Sequence, residues 1–140
     1  MRVGIIIGVL LAIVSCGPAQ KVGNKADAQN AVENKRWVLQ KLMGENVPKT
    51  GGDVYIRYIN SIAFEGNGGC NRITGHYKLG DKTIAMKDMA VTEMACDVLD
   101  WEAKFLKVLQ QADGYKIIGD NFYLYHGNKE TASFRAIYLE

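Results

Sequence analysis

The chain has 140 residues, of which 48% are hydrophobic and 23% charged. This composition is that of a globular protein of about one domain, and it excludes disordered, collagen-like and coiled-coil chains. Seventeen Lys and Arg against fifteen Asp and Glu leave a formal charge of +2 with no basic block, so we expect no nucleic-acid partner. The three cysteines are an odd number, so at least one sulfur has a role other than pairing within the chain.

The first fifteen residues have the pattern of a secretory signal peptide. Arg2 supplies a positive charge, and residues 3–14 form an uncharged run. As a helix this run would rise only about 18 Å, whereas the hydrocarbon core of a bilayer is about 30 Å thick. The sequence therefore predicts export rather than a membrane span.

The end of this run, Ile13-Val14-Ser15-Cys16, resembles the lipobox of bacterial lipoproteins. In such proteins a diacylglyceryl group is joined to the cysteine sulfur, and signal peptidase II then cleaves before that cysteine. The resemblance implies lipidation at Cys16 and a membrane partner through the lipid anchor, and Gly17 in place of Asp implies the outer membrane. The alternatives are an ordinary signal peptide or a buried strand.

Residues 16–35 contain small, amide and charged residues and only two valines. Such a stretch can do little to fill a core, so we expect a flexible tether between the lipid and the domain. A helix over residues 26–35 is the alternative, but its apolar positions form no useful face.

From Trp37 onward the chain has the pattern of short antiparallel strands. Runs of β-branched and aromatic residues bounded by Gly, Asn and Asp predict strands over residues 37–39, 54–59, 62–64, 73–79, 83–86, 115–118, 122–125 and 133–139. A turn-rich break is expected over residues 65–69. The segment Gly119-Asp120-Asn121 is a good hairpin signal.

One helical segment, residues 97–111, interrupts the strands. Its apolar side chains recur at helical spacing, at Val98, Trp101, Phe105, Val108, Leu109 and Ala112. We expect Trp101 in the core and Asp97 as the N-cap or as an acidic residue of the first turn. A helix with one apolar stripe has to cover the sheet. The predicted fold is therefore α+β, mainly β: a small barrel-like curved antiparallel sheet of seven or eight strands with one packed α-helix.

Two motifs of rare residues identify a family. Residues 69–77 read GCN-R-x-x-G-x-Y, and residues 92–96 read T-x-M-A-C. A Trp-x-Leu opening at Trp37 precedes them, and Glu-x-x-Phe at Glu102 follows. In this order the motifs resemble the META/HslJ-like domain family, over residues 36–140. The family positions are Gly69, Cys70, Asn71, Arg72, Gly75, Tyr77, Thr92, Met94 and Cys96.

The resemblance implies a compact barrel-like domain in the bacterial envelope, with family links to heat-shock or envelope stress and to antibiotic tolerance. The family has no established catalytic residues, so we expect no catalytic, cofactor or metal site. The predicted function is that of a non-catalytic, monomeric envelope lipoprotein that binds an envelope protein or supports stress tolerance. One alternative is a carrier of a small apolar ligand in a lipocalin-shaped barrel, and another is an enzyme with an unrecognised site.

Cys70 and Cys96 are 26 positions apart in a domain that we expect to be exported, where oxidation is permitted. A disulfide between them would account for the odd count and would contribute about 3–4 kcal/mol. Two buried free thiols remain an alternative. A Zn²⁺ site completed by His76 and His126 is another, although no C-x-x-C or H-x-x-x-H spacing supports it.

The glycines around Cys70 predict an unusual backbone. Gly66, Gly68 and Gly69 would allow positive φ or close backbone approach, in a sharp turn or bulge. The alternative interpretation is an anion-binding nest of successive amides near Arg72.

Overall fold

The computed structural model describes residues 25–140. In chain order its elements are α1 (Lys25–Val32), β1 (Lys35–Leu42), β2 (Glu45–Asn46), β3 (Tyr55–Tyr58), β4 (Ala63–Asn67), β5 (Arg72–Leu79), β6 (Ile84–Val91), α2 (Leu99–Gln111), β7 (Gly114–Ile118), β8 (Asn121–His126) and β9 (Lys129–Tyr138). The strands of this part of the chain form one antiparallel sheet in the order β6-β5-β4-β3-β1-β9-β8-β7, with β2 paired to β1. The fold is α+β and mainly β, as predicted.

The sheet curls until its two edge strands approach each other. Thr83, just before β6, forms an isolated bridge with Gly114 in β7. The amide of Tyr115 donates to the carbonyl oxygen of Lys82 over 3.0 Å across the same gap. This short seam gives the sheet the barrel-like curvature that the sequence predicts.

Aromatic side chains fill the inside of the curled sheet. The largest fully buried ones are Trp37, Tyr58, Phe64, Phe105, Phe122 and Phe134. The ring of Phe122 lies 5.2 Å from that of Trp37 and 5.7 Å from that of Phe134, centroid to centroid. Tilted pairs at such distances add to the stability that burial alone supplies. The interior of the barrel is thus occupied by the protein's own side chains.

The predicted long helix is present as α2 and buries the expected stripe, including Phe105, Val108 and Leu109. Two details differ from the prediction. The helix begins at Leu99, so the cap residue is Val98 in place of Asp97, and its apolar side chain makes no hydrogen bond. Trp101 is only half-buried, and Lys104 Nζ lies 5.7 Å from its ring centroid.

Strand β4 runs through a segment that the sequence predicts as a turn. It continues past Gly66 to Asn67, so the expected break over residues 65–69 begins only after the strand ends. A Cβ atom at Gly66 would collide with the carbonyl oxygen of Tyr55 on the neighbouring strand. The glycine is required there for close strand approach, which the sequence pattern does not distinguish from a turn.

The sequence does not predict the short strand β2, because the role of a glycine is again not evident from the pattern. It folds back on β1 through Met43 and Gly44, whose φ angles are 52° and 83°. Positive φ at both central residues is the geometry of a tight two-residue hairpin turn. Met43 is an uncommon residue at such a position, so the turn is hard to predict.

Residues 25–32 form α1, and for these residues the prediction of a tether is wrong. Val32 is fully buried, and its carbonyl oxygen accepts a hydrogen bond from Trp37 Nε1 over 3.0 Å. The Gln29 side chain hydrogen-bonds the hydroxyl of Tyr77. The sequence argues against a helix here because its apolar positions form no face. The structure shows that one buried side chain and polar contacts to the barrel hold it instead. The predicted signal peptide, Cys16 and residues 17–24 of the predicted tether lie outside the described residues.

Neither α1 nor α2, the helices of residues 25–140, has the length and apolar character that crossing a membrane requires.

Candidate functional site

The two sequence motifs meet at one end of the barrel. The first begins in the loop between β4 and β5 and continues along β5, and the second follows β6. Pairing of Ile73 with Val91 brings the start of the first motif beside the second. Cys70 and Cys96 are joined by a disulfide, with their Cα atoms 6.4 Å apart. The structure therefore has the predicted disulfide and not a pair of free thiols.

A buried carboxylate on α2 lies against the first motif. Glu102 is 3% exposed. Its Oε2 accepts hydrogen bonds from the amide of Asn71 over 2.6 Å and from the amide of Cys70 over 3.2 Å. Its Oε1 accepts from Asn71 Nδ2 over 2.7 Å. These three donors replace the hydrogen bonds from water that the carboxylate loses on burial.

Asn71 extends this bonding to the second motif. Its side chain is buried, and its Oδ1 accepts from the amide of Met94 over 2.7 Å and from the hydroxyl of Thr92 over 2.9 Å. The same hydroxyl oxygen accepts from the amide of Arg72 over 3.0 Å. Thr92 therefore uses its hydroxyl as both donor and acceptor. We call this set the signature network: Cys70, Asn71, Thr92, Met94, Cys96 and Glu102.

Glycines let the backbone pass close to the signature network. A Cβ atom at Gly68 would lie 2.5 Å from Cγ of Glu102, and Gly69 has a φ of +109°. The predicted close approach thus occurs at Gly68 and the predicted positive φ at Gly69. In β5, a Cβ atom at Gly75 would come within 2.7 Å of the Phe64 ring.

The amides of the glycine turn do not form an anion-binding nest. Those of Cys70 and Asn71 already point at the Glu102 carboxylate, which occupies the place of an external anion. The adjacent Arg72 side chain is exposed at the start of β5. The turn is therefore a structural connection, which is the first of the two interpretations that the sequence leaves open.

Tyr77 belongs to the sequence motif but not to the signature network. Its side chain is buried on the inner face of β5, and its hydroxyl donates to the carbonyl oxygen of Asn60 over 2.6 Å. Burial raises the pKa of the Tyr77 hydroxyl above its ordinary value, while the hydrogen bond from Gln29 lowers it in part. Tyr77 therefore acts at the opposite end of the barrel, beneath α1.

The two histidines do not join the cysteines. His76 Nδ1 lies 3.4 Å from Asp88, and His126 Nδ1 lies 3.2 Å from Asp113, both at exposed positions. Within residues 25–140 there is no group of three or more His, Cys, Asp or Glu residues that could hold a metal ion. The ligand set of the Zn²⁺ alternative is therefore not assembled.

An open cleft of about 570 Å³ borders the disulfide. On one side lie Cys70, Cys96 and the exposed side chain of Met94, and on the other the loop of residues 49–53. Both charged and apolar side chains line the cleft: Lys49, Asp53, Tyr55, Met94, Asp97 and Val98. Because of this mixed lining, the cleft can bind a segment with both polar and apolar groups.

Residues 30–137 match the family model described as the META domain. The chain belongs to the META domain family. The match confirms the resemblance on which the sequence prediction rests. Both motifs of the META domain contribute to the signature network, together with the glutamate of α2.

Solved structures share the META domain fold of this chain at low sequence identity. An NMR structure of a protein from Burkholderia xenovorans is 22% identical, with a TM-score of 0.62, over 92% of this chain and 99% of that one. A second NMR structure is 20% identical, with a TM-score of 0.64, over 76% and 92%. A crystal structure of a DUF4847 family protein from Bacteroides vulgatus is 14% identical, with a TM-score of 0.60, over 81% and 99%. These likenesses show the fold alone.

No protein with a curated description matches the chain.

The role of Glu102 in the META domain is not predicted from the sequence, although a signal for it exists. At 100° per residue, Glu102 lies about 20° from Leu109 and about 60° from Phe105 on the helical wheel. A carboxylate within an apolar stripe has to find donors when the stripe is buried. The position of Glu102 therefore indicates a buried polar contact, without indicating its partners.

Proposed function

We propose that this protein is a non-catalytic envelope lipoprotein whose META domain binds another envelope component at the cleft beside the disulfide. The observation that carries the proposal is the closed bonding of the signature network. Its carboxylate, amide and hydroxyl groups hydrogen-bond one another, and its two cysteines form a disulfide. They therefore supply a rigid wall for binding rather than a nucleophile with its base.

The disulfide also supports the cellular location. Disulfides persist in oxidising compartments such as the bacterial periplasm and are rare in the cytosol. This agrees with an exported chain that is lipidated at Cys16 and held at the outer membrane. The proposed role in envelope stress tolerance rests on the family resemblance.

The packing of the barrel supports surface binding over internal carriage of an apolar ligand. A carrier encloses a cavity of several hundred Å³ lined by apolar groups. Here the interior holds Trp37, Tyr58, Phe122 and Phe134, all less than 2% exposed. The cleft beside the disulfide opens on the surface, and its mixed lining suits a peptide segment of a protein partner.

Replacement of the proposed lipidation site tests the membrane attachment. We expect Cys16→Ser to move the protein from the membrane fraction to the soluble periplasmic fraction. The matched control is Ser15→Ala, which keeps the thiol and should leave the protein with the membrane. Sedimentation of the Cys16→Ser protein with membranes would contradict the proposal.

Site-specific photo-crosslinking in intact cells tests the binding cleft. A photoreactive amino acid in place of Met94, which is 58% exposed beside the disulfide, should yield one discrete heavier product. The control is the same substitution at Lys129, an exposed residue at the start of β9. Identical products from both positions, or no product from Met94, would refute a binding role for the cleft.

A further inference from the structure

The barrel end opposite the signature network carries most of the exposed apolar side chains. Six of the nine large hydrophobic residues that residues 25–140 leave exposed lie there, and each is between 41% and 61% exposed. We call this set the apolar rim: Ile59, Ile62, Ile118, Ile137, Tyr138 and Leu139. Soluble monomers seldom gather exposed apolar groups in this way without a contact to make.

Backbone contacts join one half of the apolar rim to the point where the chain enters the barrel. The amide of Leu139 donates to the carbonyl oxygen of Asn34 over 3.5 Å. The preceding residue, Glu33, forms a bridge with Tyr58, the neighbour of Ile59. The segment between α1 and β1 thus passes through the apolar rim.

Contacts of two hairpin turns place the other half of the apolar rim at the same end of the sheet. The hydroxyl of Tyr138 donates to Asp120 over 2.7 Å, in the turn that follows Ile118. In the turn between β3 and β4, the carbonyl oxygen of Ile62 accepts from the amide of Tyr77 over 2.8 Å. The antiparallel register therefore brings these positions to one end of the sheet.

The length of chain before α1 limits how far this end can lie from a lipid at Cys16. Eight residues separate Cys16 from Lys25, the first residue of α1. Fully extended, they span at most about 30 Å. Because α1 adds about 12 Å before the chain reaches Glu33, the apolar rim lies within about 40 Å of a lipid on Cys16 and can reach the membrane surface.

We propose that the apolar rim rests in the interfacial region of the membrane that holds the lipidated Cys16. This inference rests on the lipidation in the proposed function. Lys35 Nζ lies 5.2 Å from the ring centroid of Tyr138, and amines and tyrosines are side chains that favour the membrane–water interface. In this orientation the signature network and its cleft face away from the membrane, toward a partner.

Depth-dependent quenching on the lipidated full chain tests the orientation. Cysteines are introduced singly by Ile62→Cys and Ile137→Cys, with Met94→Cys at the opposite end as a control of similar exposure. The native cysteines do not interfere, because Cys70 and Cys96 are joined and the sulfur of Cys16 carries the lipid. Each protein receives an environment-sensitive fluorophore and is placed in vesicles of phosphatidylethanolamine and phosphatidylglycerol with a nitroxide on the upper acyl chain.

We expect the nitroxide lipid to reduce the emission of the labels at positions 62 and 137 by about half, and that of the label at 94 hardly at all, because only apolar groups at the rim enter the interface. Equal quenching at all three positions would overturn the inference. Shielding from water without lipid quenching, together with a dimer in solution, would instead identify a second copy as the occupant and also overturn it. Failure of the protein to float with the vesicles would refute the lipidation itself, a separate result.

Discussion

The two ends of the barrel are held by different forces. At one end the disulfide joins two loops to each other, and hydrogen bonds of 2.6–3.2 Å from Cys70 and Asn71 connect one of these loops to Glu102 of α2. At the other end α1 is held by one fully buried valine and a few polar contacts. The ring of Tyr58 packs against that of Tyr77, and its hydroxyl is buried and without a hydrogen-bond partner among the described residues.

The difference accounts for five of the nine family positions, those that lie in the signature network. Apolar packing tolerates exchange among hydrophobic residues of similar volume. A buried carboxylate does not tolerate loss of its donors, because each unsatisfied group costs about 1–3 kcal/mol. The six residues of the signature network therefore lie together at one end of the barrel. The following changes test the contrast between the signature network and the end covered by α1.

The largest expected effect comes from removal of the buried carboxylate. Glu102→Ala leaves the amides of Cys70 and Asn71 and the Asn71 side chain without an acceptor. We expect the free energy of unfolding in urea to fall by about 4 kcal/mol. The control is Glu93→Ala, at an exposed position in the second motif, with a change within about 0.5 kcal/mol. Equal effects of the two substitutions would show that Glu102 does not hold this end.

A slightly smaller effect is expected from loss of the disulfide. Replacement of both cysteines, Cys70→Ser with Cys96→Ser, opens a loop that spans 26 positions. The chain-entropy estimate for such a loop is about 3 kcal/mol, measured by urea unfolding. Reduction of the unmodified protein should have the same effect and should leave the double variant unchanged. A protein whose stability does not respond to reduction would contradict the prediction.

The smallest effect is expected at the other end. Tyr58→Phe removes a hydroxyl that has no partner in the described chain, so the free energy of unfolding at neutral pH should change by less than about 0.5 kcal/mol. The matched control is Tyr77→Phe, which loses the hydrogen bond to Asn60 and should cost about 1 kcal/mol. A large loss in the Tyr58 variant would mean that its hydroxyl has a partner.

The buried hydroxyl of Tyr58 also determines how the free energy of unfolding changes with pH in the alkaline range. Burial raises the pKa of Tyr58 well above its ordinary value of 10.0, and the nearby hydroxyls of Tyr77 and Tyr115 raise it further. Above pH 10 the unfolded chain releases this proton while the folded chain keeps it, so stability falls as pH rises toward the folded pKa. Below pH 10 the contribution is constant. Tyr58→Phe should therefore make unfolding less dependent on pH in the alkaline range.

Much of the fold can be predicted from local patterns. The apolar spacing from Val98 to Ala112 predicts α2, because it reflects burial of one helix face. Runs of β-branched and aromatic residues between turn residues predict β5 and β8. Strand β2 and the second half of β4 are not predicted in this way, because Gly44 and Gly66 interrupt the patterns. Both glycines resemble turn residues, but Gly66 is needed only because another strand passes close to it. The sequence alone does not show that strand β3 lies beside Gly66.

The amino-acid sequence by itself determined the class of the domain and the family, and it left the pairing of Cys70 with Cys96 as one of three alternatives, among which the structure decided. The class and the family depend on residue type and spacing along the chain. Only the tertiary structure decided that α1 is a helix and that Glu102 accepts from the amides of the glycine turn. Both depend on groups that lie far apart in sequence, because a weak helix and a buried charge are each stable only where the folded barrel supplies their partners.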